Sequence, residues 1–165
     1  MTLRLHDPTH PRRSLGPRLD DPIAAVMRTH WASTTPHATL LEAERLMRLA
    51  RIRQVPVVVD DVLVGILNHR DVLRASLARL LASEGNVAAR HGLLGGVPVA
   101  AVMDPSPEVA APDETIREIA LRMLRSGAAC IPIVDFSSGT GRMVGLAVES
   151  DLLQLAYRPG GVVAA

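Results

Sequence analysis

The chain repeats itself, and an internal repeat limits the possible fold more tightly than any single motif. The stretch VGILNHRDVL at residues 64–73 returns as VGLAVESDLL at residues 144–153. AAVM at residues 24–27 returns at residues 100–103, and the same spacing carries Pro36 onto Pro112, Thr39 onto Thr115, Met47 onto Met123 and Pro56 onto Pro132. The spacing then lengthens by four residues, which belong in the glycine- and serine-rich turn FSSGTGR. Two copies of one unit result, at residues 20–81 and 97–157. Around them lie an N-terminal arm (1–19) expected to be flexible, a linker (82–96) and a C-terminal tail (158–165).

Each copy reads in the same order. A short apolar helix (DPIAAVM, VPVAAVM) leads to an extended piece that ends at proline. Thr39-x-x-Glu42 and Thr115-x-x-Glu118 are capping boxes. In the helix that follows the first box, Leu40, Ala43, Met47 and Ala50 share one face. Two apolar strands come next, QVPVVV and VLVGIL in one copy, CIPIV and MVGLAV in the other. A second helix opens near Asn68, with Val72, Leu73, Leu77, Leu80 and Leu81 spaced for burial. The continuous apolar strands call for cover on both faces, and a unit of about sixty residues has little core of its own. The fold class predicted is α/β, with two β-α-β-β-α repeats packed sheet-to-sheet about a pseudo-twofold axis.

Composition narrows the function. Apolar residues make up 48% and charged residues 21%, a globular balance. All 18 basic residues are arginine, yet the net charge is only +1, so no overall field draws the protein to nucleic acid or a membrane surface. The single cysteine, Cys130, excludes an internal disulfide and lies in the apolar run ACIPIV, as a buried small hydrophobe would. The least polar segment, GLLGGVPVAAVM, is too short and too rich in glycine to span a bilayer, and the N-terminus has no signal-peptide core. A cytoplasmic protein is expected. None of the six histidines forms a close ligand pair on a predicted helix or strand, and no phosphate-cradling loop or nucleophile elbow appears. The chain is not expected to be an enzyme, nor to need a metal or another cofactor.

The AAVM opening, the proline before each capped helix, the VPVVVD and IPIVD strands, and the glycine six residues before Asp71 and before Asp151 resemble the tandem cystathionine-β-synthase (CBS) domain pair, or Bateman module. The resemblance covers about residues 20–157. It implies a regulatory or sensory module that binds an adenosine-containing ligand (AMP, ADP, ATP or S-adenosylmethionine) in a cleft between the repeats. It also implies a homodimer, and output through a separate regulated protein. The family pattern places an aspartate on the ribose hydroxyls, and a threonine, three residues earlier, at the phosphate or ribose. Carried onto this sequence, the nucleotide-binding residues are Ser33, Arg53, Val55, Pro56, Asn68, His69, Arg70, Asp71 and Asp151.

The two copies are not equal. Around Asp71 the first keeps Asn68, a good N-cap, with His69 and Arg70 on the first helical turn, where an anion is favoured and arginine can fork onto phosphate. Ser33 and Arg53 add a hydroxyl and a cation. In the second copy the matching residues are Val148, Glu149, Val109 and Ala129, and only Asp151 survives. Two lost neutral hydrogen bonds, at about 1 kcal/mol each, together with a lost charge contact, predict a nucleotide site about a hundredfold weaker there. A ligand-independent dimerisation or protein-interaction module stays open as the alternative.

Overall fold

The computed structural model describes residues 16–82, 94–137 and 139–157. Most of the arm and linker, and the tail, lie outside the described residues. A 3-10 turn (Ile23–Ala25) is followed by α1 (Leu40–Ala50), β1 (Gln54–Val59), β2 (Val62–Asn68) and α2 (His69–Ala82). The second copy gives a 3-10 turn (Val99–Ala101), then α3 (Ile116–Ser126), β3 (Cys130–Asp135), β4 (Arg142–Val148) and α4 (Glu149–Tyr157). The first strand expected in each copy is reduced to one parallel bridge, Thr34 to Val57 and Ala110 to Ile133. No helix among the described residues is long and apolar enough to cross a membrane.

The capping boxes form as the sequence dictates. Thr39 and Thr115 each accept the backbone N–H three residues on, and Glu42 and Glu118 each accept the N–H of the capping threonine. The helices end alike: Gly127 stops α3 at φ 67° and Arg51 stops α1 at φ 54°. Leu40, Ala43 and Met47 are buried, but Ala50 is exposed because the chain turns away at Arg51. The larger departure is in α2. Val72 is buried, whereas Leu73, Leu77 and Leu81 are 46%, 50% and 81% exposed. Leu80 is half-buried, so the stripe that the spacing marks for burial is covered only in part among the described residues.

Asp60 and Asp61, both at positive φ (48° and 65°), make a two-residue turn between β1 and β2. Such turns match the twist of the flanking strands. Val57 pairs with Gly65 and the register shifts just beyond; Ile133 pairs with Gly145 with the same shift. The hairpins meet at their turn ends, through Val62 and Arg142, in one antiparallel sheet of order β1-β2-β4-β3. Ile66, Cys130, Met143 and Leu146 fill the space between them, with Trp31 packed alongside. Burial pushes the Cys130 thiol up to about 11, consistent with a packing residue.

The packed halves do not coincide with the sequence repeats. Ile23, from the opening of the first copy, lies in the core of Ile116, Ile119, Met123, Ile131 and Ile133. Val97 and Val99, from the opening of the second, lie in the core of Leu40, Met47, Val55, Val57 and Leu67, together with Leu94. Leu94 belongs to the expected linker, so its end is a core residue. Ile23 N–H donates to the Glu114 carbonyl (2.7 Å) and Ala24 N–H to that of Pro112 (3.1 Å); Val99 N–H donates to Ala38 (2.8 Å) and Ala100 N–H to Pro36 (3.0 Å). Ile23 and Val99 are fully buried, which stabilises the exchange by roughly 2 kcal/mol for each side chain. The methionines of the two AAVM segments close it, Met103 against Gly65 and Met27 against Gly145. The glycine frame therefore recurs because each copy's strand receives the other copy's methionine.

Candidate functional site

Two strand-to-helix corners carry the aspartates. At the first, β2 ends at Asn68 and α2 starts at His69. The His69 amide is already used: it donates to the Arg53 carbonyl at 2.8 Å, as Glu149 N–H does to Ala129 at 3.0 Å in the second corner. Asn68, expected to cap α2, instead accepts from Gln54 Nε2 through its side-chain oxygen. Gln54 in turn accepts the Cys130 N–H at 3.0 Å, so this pair ties the first corner to the start of β3. The side chains of Arg53, His69 and Arg70 are exposed around it, and Val55 and Pro56 are buried in β1. The backbone contact brings Arg53 beside the His69–Asp71 turn. Asp71 is half-buried and, among the described residues, accepts only a long hydrogen bond, 3.4 Å, from Arg74 one turn along its own helix.

Asp151, at the matching place in α4, stands differently. Both its oxygens accept from one guanidinium: Arg28 Nε donates to Oδ2 at 2.6 Å and Nη2 to Oδ1 at 2.7 Å. The hydrogen bonds from Arg28 hold this carboxyl below the usual carboxylate range and raise the arginine. Arg28 comes from the exchanged opening segment of the first copy. Its N–H and carbonyl each bond Leu146, at 2.9 Å, and this docks the side chain over the start of α4.

Ser33 is not brought to Asp71 by any contact among the described residues. It lines an open cleft of about 300 Å³ with Thr29, His30, Trp31, Val58, Asp61 and Met143. Its walls come from both copies, since Met143 belongs to β4, and Arg142 Nη2 bonds Asp61 across the same junction at 3.2 Å. None of Asn68, His69, Arg70 and Asp71 lines it. In the second copy Val109 and Val148 are half-buried, while Ala129 and Glu149 are exposed.

Sequence reasoning missed Arg28, Gln54 and Trp31. A signal for Arg28 existed: the residue after AAVM is arginine in one copy and aspartate, Asp104, in the other.

A family model for the CBS domain matches residues 23–78 and 99–158. The CBS domain-containing protein YhcV of Bacillus subtilis is 28% identical over 127 residues, covering 77% of this chain and 79% of the relative. Among solved structures, AcuB of Vibrio cholerae aligns with a TM-score of 0.66 at 27% identity, over 82% of this chain and 89% of its own. CBSX2 of Arabidopsis thaliana, solved in complex with AMP, aligns with a TM-score of 0.66 at 21% identity, over 82% of this chain and 96% of its own.

Proposed function

The chain belongs to the CBS-domain family, in two tandem copies, and from that premise we propose a regulatory module that binds an adenosine-containing ligand between its repeats and signals to a separate partner protein. AMP, ADP or ATP is the ligand class, bound mainly at the first corner. The observation that carries this reading is the unequal state of the two aspartates. A ribose diol needs a carboxylate able to accept both hydroxyls. Asp71 has that capacity, with one long contact to Arg74, whereas Asp151 spends both oxygens on Arg28. Arg53 and Arg70, exposed beside Asp71, supply cations for phosphate. The AMP complex of CBSX2 supports the ligand class, as a property of a protein with the same fold.

Calorimetric titration tests it. AMP should bind the wild-type chain, Asp71→Ala should lose most of that binding, and Asp151→Ala should change it less than about threefold. A charge-assisted hydrogen bond contributes about 1.5–3 kcal/mol, so with two of them, from Arg53 and Arg70, AMP should bind at least about a hundredfold more tightly than adenosine. Arg70→Ala should narrow that gap, and added salt should weaken AMP. Equal losses in the two aspartate variants, or adenosine or S-adenosylmethionine binding as tightly as AMP, would show that the corners or their cations have been ranked wrongly.

We further propose that the module works as a homodimer. The exposed leucines of α2, Leu73, Leu77 and Leu81, and Leu153 of α4 give it an apolar surface that the described residues of one chain leave uncovered.

A further inference from the structure

We propose that Arg28 is a latch that closes Asp151, and that one reversal of charge between equivalent positions decides which corner of the module is open. This inference rests on the nucleotide reading above and concerns how many sites that reading supplies.

Arg28 and Asp104 hold the same backbone position in the two exchanged segments. Arg28 bonds Leu146 in both directions at 2.9 Å, and Asp104 bonds Ile66 in both directions at 2.8 and 2.9 Å. Each lies against the last strand of the opposite copy, five residues before that copy's aspartate. The side chains then do opposite things. Arg28 reaches Asp151 with two parallel N–H donors, the strongest geometry a guanidinium can offer a carboxylate. Asp104 cannot pair with Asp71; its carboxylate accepts the Ser106 N–H at 2.9 Å instead. A diol approaching Asp151 must first displace a charge-assisted pair. One approaching Asp71 displaces only the long contact to Arg74. The latch is reversible rather than sealed, because the Arg28 and Asp151 side chains stay 47% and 25% exposed.

The test is titration with adenosine and AMP of wild type, Arg28→Gln, Arg28→Ala and Asp104→Arg, each also carrying Asp151→Ala or Asp71→Ala. Both Arg28 variants should gain a second class of site, lost with Asp151→Ala, that binds adenosine at least about tenfold more tightly than the wild-type second corner. AMP should gain less there, since Glu149 opposes its phosphate. Asp104→Arg should weaken AMP at the first corner by about tenfold or more, because the new arginine would latch Asp71. A bystander cation near phosphate would strengthen AMP instead, so the sign of that change is decisive. If Arg28→Gln and Arg28→Ala gain no Asp151-dependent site, or Asp104→Arg tightens AMP, the latch is overturned while the nucleotide reading stands. If the wild type binds nothing and Arg28→Gln binds adenosine through Asp151, the latch holds and the choice of the first corner fails. Binding by none of the proteins overturns both.

Discussion

At Gly65 an added Cβ would sit 2.7 Å from the Asp104 carbonyl oxygen and 2.8 Å from Met103 Sδ. At Gly145 the three nearest atoms all belong to the Met27 side chain, Sδ, Cγ and Cε. A thioether chain can rotate aside, whereas the Asp104 carbonyl, which accepts from Ile66 N–H while the Asp104 N–H donates to the Ile66 carbonyl, cannot. Gly65→Ala should therefore cost about 2–3 kcal/mol and Gly145→Ala about 1 kcal/mol, within the usual range for overpacking. Urea denaturation checks the order. Adding Met27→Ala should recover part of the Gly145→Ala loss, while Met103→Ala should do little for Gly65→Ala. Equal costs would mean that the main chain yields more readily than this. At this scale the sequence was only half legible. It marks Gly65, Asp71 and the opposite charges at 28 and 104, but Arg28 and Asp151 are 123 positions apart, and only the exchanged packing brings them together.

Elements were legible where their causes are local. Each capping box joins residues three positions apart, so Thr39–Glu42 and Thr115–Glu118 could be read directly and formed as read. The two-residue Asp60–Asp61 turn and the paired shifts after Val57 and Ile133 were not foreseen, because they depend on the backbone's fit to its partner strand. Helix α2 shows the limit of periodicity. Its spacing identifies an apolar stripe but not what the stripe meets, and among the described residues Leu73, Leu77 and Leu81 are left largely exposed. If the proposed dimer uses them, analytical ultracentrifugation at micromolar concentration should show twice the chain mass. Leu77→Glu should give monomers with unchanged far-UV circular dichroism. A wild-type chain that sediments only as a monomer would remove the proposal.

The whole molecule is held by the exchange of its opening segments. Ile23 and Val99 each complete the core that the other copy began. Halves cut in the linker, residues 1–88 and 89–165, should therefore each lack a cooperative thermal transition when produced separately, and should regain one when mixed. Full stability in either half by itself would show that the exchanged segments are dispensable. The sequence announced the duplication clearly, yet it gave no sign of the exchange, since AAVM would look the same whichever core received it. The exchange also bears on ancestry. Made between two identical half-length chains, the same contacts would close a twofold-symmetric pair whose formation depends on concentration. Joining the copies turns that encounter into an intramolecular step with a high effective concentration. It also frees the copies from symmetry: in a pair of identical chains the residue after AAVM is the same twice, so both corners would carry an arginine or neither would. A tandem chain, unlike a pair of identical ones, can carry Arg28 at one corner and Asp104 at the other.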